Sequence, residues 1–462
     1  MSQETVTKDA TYIAGLVAKA RVALAAFEPF NQKQVDTILR DIAKNVFDNA
    51  EELARMAVTE TGMGGVEYKI KKNQGKARIL WYHLKGKKSM GVIDEDEESG
   101  ITQIAKPVGV VAAVQPTTNP TVTPMANCMA ALKGKNAIII APHPRAENTT
   151  KYSVRRWQEI LEQHGAPRDL IQLVEEGSIE RTQELMKQCD VNVATGGPAM
   201  VKSAYSSGRP SFGVGQGNVQ TIIDRDVDIP ETVRMILDAR IFDNGIICSG
   251  EQTMITPEEK LGELKQAVVD YGGYWVDDPA EKQKFIDTLF PEGKINRELV
   301  GRTVQEIAKA AGVEVPEGSK VIVIPEENEN KDSLLRKEKM FPVITPFTYK
   351  DFDQAIDIAV ENLSIEGKGH SVSVHSHNDA HIKEVGLRAP VSRVLVNQPC
   401  ATANGGAFTN SLNATSTLGA GSWGNNSISE NFYYKHLLNI TRVAKVKKHP
   451  HQPSDEELWK VE

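Results

Sequence analysis

Residues 108–114 read V-G-V-V-A-A-V, a continuous apolar run with the length of one buried strand. A helical stretch at 125–132 follows, and then a second apolar run, A-I-I-I-A, at 137–141. Continuous apolar strands that alternate with helices are typical of a parallel sheet covered on both faces. This stretch therefore predicts an α/β fold with a doubly wound sheet.

The same alternation continues along the rest of the chain. We expect further strands of the first set at 172–174, 191–194 and 220–223, with helices at 147–164, 179–188 and 200–206. After Cys248 a second set is expected, with strands at 320–324, 371–375 and 394–397 and helices at 261–271, 303–311, 352–361 and 379–387. Two α/β domains that face each other across a cleft account for this pattern economically.

The chain before residue 108 is mainly helical in its pattern. Apolar residues recur at helical spacing over 11–27, 32–61 and 66–84, with breaks at Glu28-Pro29-Phe30 and Met63-Gly64-Gly65. Two short β-like runs, 90–93 and 101–105, flank an acidic turn and predict a protruding hairpin. A third β-like run, at 441–446, lies near the end of the chain.

Composition argues against several classes of partner. The formal net charge is −7 over 462 residues, with only a short basic run at 445–451, so no nucleic acid is expected. No apolar run approaches the roughly 20 residues of a membrane span, and the N-terminus lacks the layout of a signal peptide. Four cysteines lie far apart without a C-x-x-C pair, which favours a reducing cytoplasm and gives no zinc pattern.

Cys248 lies in the segment F-D-N-G-I-I-C-S-G-E-Q, residues 242–252. An apolar helical run at 233–241 and the turn residues D-N-G precede it. The segment predicts that Cys248 lies near the start of a further helix, where the helix dipole and unpaired N–H groups favour a thiolate. The alternative is a buried cysteine that serves as a small apolar residue.

Three loops follow strands of the first set, at the edge where open α/β sheets bind ligands. They are Q-P-T-T-N-P with Asn119, A-P-H-P-R at 141–145, and A-T-G-G-P-A-M-V at 194–201. Gly196 and Gly197 precede a helix whose first turn holds Pro198, so the backbone there can approach a pyrophosphate. The alternative is an ordinary helix-entry turn, because the pair is not a G-x-G-x-x-G fingerprint.

Taken in order, these segments resemble the aldehyde dehydrogenase superfamily, specifically its CoA-acylating branch. The resemblance covers nearly the whole chain and rests on P-x-x-N-P, T-G-G-P, G-V-G-Q-G-N at 213–218, the cysteine segment, E-K-M-F-P-V at 338–343 and T-L-G-A-G-S-W-G-N-N-S at 417–427. The sequence looks similar to acylating succinate-semialdehyde and sulfoacetaldehyde dehydrogenases and to the aldehyde dehydrogenase part of bifunctional aldehyde-alcohol dehydrogenases. The resemblance implies reversible oxidation of an aldehyde to an acyl-CoA with NADP or NAD and coenzyme A.

The resemblance also implies catalytic roles. Cys248 is the expected nucleophile, and Asn119 with the Cys248 N–H is expected to hold the oxyanion. Glu338 matches the glutamate that holds the nicotinamide ribose, and His370 matches a base for coenzyme A. Each has a plainer alternative, a surface charge for Glu338 and a satisfied strand-start histidine for His370. Glu251 is a second candidate acid–base group, or a residue that only favours a helix N-terminus.

The implied cofactor contacts come from the same loops. Gly213 stands where hydrolytic relatives carry the glutamate of an E-L-G-G motif, so the base that activates water is missing. Because water has a pKa of about 15.7 and a thiol one of about 8.5, release by coenzyme A is expected. Arg145 is expected near a 2′-phosphate, which keeps NADP open beside NAD. The expected cofactor-binding residues are Thr117, Pro142, His143, Arg145, Thr195, Gly196, Gly197, Gly213, Gly215, Glu338 and Phe341.

The substrate implied by the resemblance is a short aldehyde with an anionic tail. Arg209, Arg393 and the loop at 402–406 are candidate contacts for that tail, and each has a structural alternative. His375, His377 and His381 form H-x-H-x3-H, which can bind zinc. Because Asn378 and Asp379 resemble a helix cap, we expect no metal site there.

The resemblance implies two Rossmann-like doubly wound domains plus a small β flap for oligomerisation. We expect a dinucleotide- and CoA-binding domain at 1–235 with a hairpin near 88–106, a catalytic domain at 236–425, and a segment at 426–462 that returns to the first domain. A cytoplasmic homodimer or homotetramer is expected by analogy. The alternatives are a hydrolytic aldehyde dehydrogenase that uses another base, and a scaffold subunit without the chemistry.

Overall fold

The computed structural model describes residues 3–461, with side chains from Lys8 onward, so residues 1, 2 and 462 of the predicted domains lie outside the described residues. The helices are α1 (Gln3–Phe27), α2 (Gln32–Asp48), α3 (Ala50–Thr61), α4 (Val66–Leu84), α5 (Val122–Lys133), α6 (Glu147–Gln163), α7 (Ile179–Gln188), α8 (Pro198–Tyr205), α9 (Ile229–Ile241), α10 (Leu261–Tyr271), α11 (Pro279–Leu289), α12 (Val304–Ala311), α13 (Phe352–Ile365), α14 (Asp379–Arg388), α15 (Cys400–Ala403) and α16 (Asp455–Trp459). The strands are β1 (Gly91–Asp96), β2 (Ile101–Pro107), β3 (Val110–Val114), β4 (Ala137–Ala141), β5 (Ile171–Leu173), β6 (Val191–Thr195), β7 (Ser211–Val214), β8 (Gln220–Ile223), β9 (Thr253–Pro257), β10 (Gly273–Trp275), β11 (Val321–Val323), β12 (Val343–Tyr349), β13 (Val372–His375), β14 (Val394–Val396) and β15 (Leu438–Ala444).

The described strands form three sheets. One parallel sheet has the order β5-β4-β3-β6-β7, and a larger parallel sheet has the order β10-β11-β12-β9-β8-β13-β14. All of β3 and β4 is buried, which explains their uninterrupted apolar sequence, because helices cover both faces. The predicted fold class, two doubly wound parallel sheets, is confirmed.

The predicted hairpin forms the third sheet. β1 pairs antiparallel with β2, which pairs antiparallel with β15 over Leu438–Ala444. The first two strands and the last therefore come together although more than 300 residues separate them in the sequence. This sheet is the predicted flap, and its role in oligomerisation stays a prediction.

The sheet order corrects one expectation. β8 was expected in the first sheet, but it pairs with β9 and β13 of the seven-stranded sheet. The chain therefore crosses between the sheets after Val214 and before Gln220, ahead of the expected boundary at 235. We propose a domain boundary at this crossover. Sequence analysis did not predict β7, β9, β10, β12 or α11.

α1 requires a second correction. Over Lys8–Phe27 this helix is long and apolar enough to cross a membrane by length and composition, contrary to the expectation from sequence. Such a helix near an N-terminus is weak evidence of a span, because core helices pass the same test. Ile13, Ala20 and Phe27 are buried in the core that also contains β3 and β4, so one face of α1 packs on that core, and 28% of the apolar window is buried.

Candidate active site

Cys248 lies on the loop that connects α9 to β9. Asp243 and Asn244 each have φ near 53°, and Gly245 has φ 76°, so three successive left-handed residues turn the chain sharply after α9. β9 then begins at Thr253. The helix expected after Cys248 is absent from this described segment, so the prediction of a dipole-stabilised thiolate was wrong.

Desolvation of the sulfur has the largest effect on the pKa of Cys248. The residue as a whole is partly exposed, whereas Cys128, Cys189 and Cys400 are buried. Burial and then the charge of Glu338 raise the pKa of Cys248 to about 11, although Arg393 and Lys76 act in the opposite direction. The resting thiol is therefore protonated at neutral pH.

Gly217 joins the cysteine loop to Glu338. A Cβ atom added at Gly217 would lie 1.8 Å from the carbonyl oxygen of Cys248, so any side chain there displaces the loop. The Gly217 N–H also donates to Glu338 Oε1 over 3.2 Å. The G-V-G-Q-G-N segment therefore contributes a backbone contact that brings the nucleophile and the expected ribose ligand together.

The side chain of Asn119 is oriented by a buried ion network. Lys72 Nζ donates to Asn119 Oδ1 over 2.6 Å and also contacts Asp243, which in turn pairs with Lys69 over 3.0 Å. Since an ammonium group only donates, the atom that faces Lys72 must be the amide oxygen. Asn119 Nδ2 donates to Thr118 Oγ1 over 3.2 Å, so its second hydrogen remains to stabilise an oxyanion.

Arg240 fixes the loops on both sides of Cys248. Its guanidinium is fully buried and donates to Gly245 O over 3.0 Å, Glu251 O over 3.1 Å and Phe341 O over 3.0 Å. Burial lowers its pKa to about 10, so it stays charged at neutral pH. One cation therefore holds the cysteine loop and the segment after Glu338 in a single arrangement.

A large cleft of about 980 Å³ lies at the carboxyl ends of β3, β4 and β6. α8 begins there with Gly197 as N-cap and Pro198 in its first turn, as predicted. The expected cofactor residues that line the cleft are Thr117, Pro142, His143, Arg145, Thr195, Gly196, Gly197 and Glu338. The glycine backbone and the helix N-terminus suit a pyrophosphate.

Three expected cofactor residues are placed elsewhere. Phe341 is fully buried in a hydrophobic core, while its neighbour Met340 lines the cleft. A Cβ atom added at Gly213 would lie 2.8 Å from Val201 and 3.0 Å from Tyr205, so this position faces α8. Gly215 is absent from the residues that line the cleft among those described. Packing of the folded chain decides these directions, and sequence order does not reveal them.

The cleft also contains a pair of carboxylates. Glu338 is buried, and its backbone N–H donates to Glu366 Oε2 over 2.7 Å. Burial and the charge of Glu366 raise the pKa of Glu338 to about 8. Gln216 donates to Glu366 Oε1 over 2.9 Å. A carboxyl that is partly protonated at neutral pH can both accept and donate hydrogen bonds to ribose hydroxyls.

His370 and Glu251 are the two candidate bases. His370 is fully buried, and neither ring nitrogen has a partner among the described residues. Burial and the nearby Arg393 lower its pKa to about 3, so it is neutral. Burial raises the pKa of Glu251 to about 7, and its Oε1 accepts from the Cys400 N–H over 2.5 Å. Glu251 forms an isolated β-bridge with Val219, so the prediction that it lies in a helix was wrong.

A second cavity of about 390 Å³ is lined by Cys248. Asn119 lines it, and Thr402, Gly405 and Gly406 of the expected loop do so as well. Sequence analysis missed the lysines of α4 that also line it, which are Lys71, Lys72 and Lys76. The available signal was the spacing of Lys69, Lys72 and Lys76, since steps of three and four residues share one helix face.

The arginines expected at the substrate tail lie elsewhere. Arg209 is exposed and donates to Lys187 O over 2.9 Å. Arg393 is buried, and donates to Gly419 O over 2.8 Å and to His370 O over 2.8 Å. Neither lines the second cavity in the described part of the chain, so both have the structural role that was the alternative.

The H-x-H-x3-H histidines are used for structure. His375 is buried in β13, and His381 Nδ1 contacts Asp224 Oδ2 at 2.6 Å. Asn378 caps α14 by accepting from the N–H groups of Ala380 and His381, as its sequence suggested. Over residues 3–461, no group of three or more histidine, cysteine, aspartate or glutamate side chains is placed to hold a metal ion.

Comparison with known proteins gives consistent matches over the whole length. The sequence model described as "Aldehyde dehydrogenase family" matches residues 3–432. The chain is 47% identical to the succinate-semialdehyde dehydrogenase (acetylating) of Clostridium kluyveri, over 96% of this chain and 98% of that protein. It is 40% identical to a sulfoacetaldehyde dehydrogenase of Acholeplasma sp, over 97% and 93% of the two chains. The crystal structure of an acetylating aldehyde dehydrogenase from Geobacillus thermoglucosidasius superposes with a TM-score of 0.93 at 35% identity, covering 98% of this chain and 100% of that one.

Proposed function

This chain belongs to the aldehyde dehydrogenase family, and we propose that it converts an aldehyde, CoA and NAD(P)⁺ reversibly into an acyl-CoA, NAD(P)H and a proton. One observation carries the proposal. Cys248 and Asn119 line the smaller cavity, the Gly217 N–H links the cysteine loop to Glu338 of the larger cleft, and Gly213, which has no side chain, occupies the position that the resemblance assigns to the hydrolytic base. The arrangement supplies a nucleophile and an oxyanion donor without a base for water.

The first half of the reaction uses Cys248. Its sulfur attacks the aldehyde carbon, and the thiol proton leaves as the C–S bond forms, giving a thiohemiacetal. The amide hydrogen of Asn119 and the Cys248 N–H stabilise the oxygen, and one such donor lowers the barrier by roughly 3 kcal/mol. A nicotinamide dinucleotide bound in the cleft supplies the hydride acceptor. Loss of hydride from the carbon leaves an acyl-thioester on Cys248.

The second half transfers the acyl group to CoA. The CoA thiol attacks the thioester carbon, the bond to Cys248 breaks, and Cys248 regains a proton. Two groups are proposed as the base for the incoming thiol. His370 matches the position implied by the resemblance and both its ring nitrogens lack partners among the described residues, but its pKa of about 3 makes it a weak base. Glu251 has the more suitable pKa of about 7; its Oε1 accepts from the Cys400 N–H and its Oε2 has no partner among the described residues.

The cleft residues fit both co-substrates. The backbone of Gly196 and Gly197 suits a pyrophosphate, and Glu338 suits the nicotinamide ribose. Arg145 is exposed at the rim, where a guanidinium can pair with the ribose phosphate of NADP or of CoA. We propose that CoA enters the same cleft after the dinucleotide has left.

The proposed substrate is a short aldehyde with a carboxylate or sulfonate tail. This follows from similarity to enzymes named for succinate semialdehyde and sulfoacetaldehyde. We further propose a cytoplasmic homodimer or homotetramer that pairs through the sheet β1-β2-β15, because both edge strands of that sheet, β1 and β15, are free for pairing in the described chain.

The test is a spectrophotometric panel of aldehydes with either dinucleotide, with and without CoA. The proposal predicts steady NAD(P)H formation only when CoA is present, with an acyl-CoA as product. Steady oxidation without CoA beyond one turnover identifies a hydrolytic enzyme instead. Failure of Cys248 to react with an alkylating reagent, together with no turnover, identifies a scaffold subunit.

A further inference from the structure

The cavity beside Cys248 has an uneven distribution of charge. Its apolar wall includes Ile79, Val122 and Leu418, and its charged residues are Lys71, Lys72 and Lys76. Among the residues described at this cavity there is no carboxylate. Because the whole chain carries a formal charge of −7, this concentration of lysines is a local feature and not a consequence of composition.

The lysines of α4 differ in whether a carboxylate of the protein already neutralises their charge. Lys69 and Lys72 share Asp243, which is fully buried between them. Lys72 is also held by Asn119 over 2.6 Å. Lys76 has no ion pair within the described chain, and its partners are the carbonyl oxygens of Gly405 at 3.0 Å and Thr415 at 3.1 Å.

The protein holds the Lys76 ammonium in a fixed position. A Cβ atom added at Gly405 would lie 2.5 Å from Lys76 Nζ and 2.6 Å from Thr415 O, so glycine is required for this approach. An ammonium has three hydrogens, and two carbonyls leave the third for a ligand. Burial lowers the pKa of Lys76 to about 8, while Cys248 acts to raise it. Lys76 is partly exposed to the cavity, and a partly desolvated cation without a counterion favours binding of an anion.

We propose that Lys76 binds the carboxylate or sulfonate tail of the aldehyde and so determines that the enzyme prefers anionic substrates. The inference rests on the proposed function and names the residue that selects its substrate. Lys71 lies exposed on the same cavity and adds attraction at the entrance. Lys72 is committed to Asp243 and Asn119, so its role is in positioning the oxyanion donor.

The test compares succinate semialdehyde, sulfoacetaldehyde and uncharged butanal in the presence of CoA and dinucleotide. Lys76→Met should lower kcat/KM for the two anionic aldehydes by about 10- to 100-fold, which is the range for one charge-assisted hydrogen bond. The loss should be mainly in KM, whereas butanal should keep its KM and show only the smaller loss in kcat that follows because Lys76 no longer lowers the pKa of Cys248. Lys76→Arg should recover part of the preference. Lys85→Met is the matched control, because Lys85 ends the same helix and is exposed outside the cavity.

Two results overturn the proposal. One is an equal loss for butanal and the anionic aldehydes, which makes Lys76 a structural residue or a partner of Cys248. The other is no loss for either anion. A loss for just one of the two anionic aldehydes supports the site and shows which tail, carboxylate or sulfonate, it binds. Calorimetric binding of succinate needs no turnover, so it tests the anion site at Lys76 separately from the proposed acylating function. If succinate binding depends on Lys76 in a chain without acylating activity, the anion site stands and the proposed function fails.

Discussion

The two cavities on either side of the link between Gly217 and Glu338 are built in different ways. The larger cleft is formed by loops at the ends of parallel strands, and it combines the turn of Thr195, Gly196 and Gly197 with side chains such as Glu338. The smaller cavity is formed by side chains of α4 and of the segment after α15, including Lys76 and Phe408. A loop backbone at a helix N-terminus suits a cofactor that many enzymes share, while substitution of side chains can change the preferred substrate without changing the fold. The larger cleft therefore supplies the shared chemistry, and the smaller cavity determines the specificity.

The strongest test of the comparison is removal of the sulfur of Cys248, which in the described chain lines the smaller cavity only. Cys248→Ala should lower turnover by about 10⁵-fold, because loss of a nucleophile removes the covalent route. Binding of the dinucleotide in the other cavity should remain within about twofold, measured by calorimetry. Cys128→Ala, at a buried core cysteine, is the control and should keep turnover. A rate near that of the unmodified protein removes the assignment of Cys248.

The next test concerns the backbone contact between the cavities. Gly217→Ala places a Cβ atom 1.8 Å from the Cys248 carbonyl oxygen, so the cysteine loop must move. We expect kcat to fall by about 10³-fold, because a displacement of about 1 Å costs at least 10²-fold in rate. Gly215→Ala, where an added Cβ atom has no neighbour within 4 Å, should be nearly neutral. Equal effects of the two variants contradict this account.

The third test concerns Lys72, which orients Asn119 in the smaller cavity. Lys72→Met removes the donor that fixes the amide oxygen, and kcat should fall by about 10²-fold, as for loss of an oxyanion donor. In an Asn119→Ala background the same substitution should have little further effect, because the orientation then no longer matters. Additive losses in this double-mutant cycle, measured by steady-state kinetics, show instead that Lys72 acts through Asp243 alone.

Much of the larger cleft could be predicted from sequence, because its parts are contiguous motifs. The runs at β3 and β4 predicted buried strands, and the T-G-G-P turn predicted the start of α8 at Pro198. Eight of eleven cofactor candidates line the cleft. The exceptions include Phe341, which is buried in a hydrophobic core, and Gly213, whose position faces α8; only the folded structure shows these directions.

The smaller cavity was largely missed, for a physical reason. Its walls come from α4, from the loop with Asn119 and from residues 401–418, and only folding brings these segments together. The lysine spacing in α4 resembles a solvated helix face, and no sequence signal shows that Asp243 and Gly405 bury that face. The same limit explains Cys248: its segment contains helix-cap residues, yet the chain continues into β9 and the predicted helix does not form.

The fourth test uses pH to examine Cys248 in the absence of ligands. With a pKa of about 11, the thiolate fraction should rise about tenfold per pH unit through the neutral range, since the thiolate is the reactive form. The rate of iodoacetamide modification, followed by mass spectrometry, should therefore rise about 100-fold from pH 7 to pH 9. At pH 9, where Glu338 is largely ionised because its pKa is about 8, Glu338→Gln should speed the reaction several-fold. A plateau below pH 8 indicates a thiolate stabilised by the loop and contradicts the role given to burial.

The smallest expected effect lies at the rim of the larger cleft. Arg145 is exposed, so its contact with the 2′-phosphate of NADP is weakened by solvent and should contribute about 1 kcal/mol. Arg145→Ala should therefore raise KM for NADP about fivefold and leave KM for NAD unchanged. Because Arg145 is proposed to contact only the ribose phosphate, no other step should change. Arg155→Ala, at an exposed arginine of α6 that does not line the cleft, is the control. An equal change for both dinucleotides places Arg145 at the pyrophosphate that they share, and then side chains contribute to the common chemistry as well as to specificity.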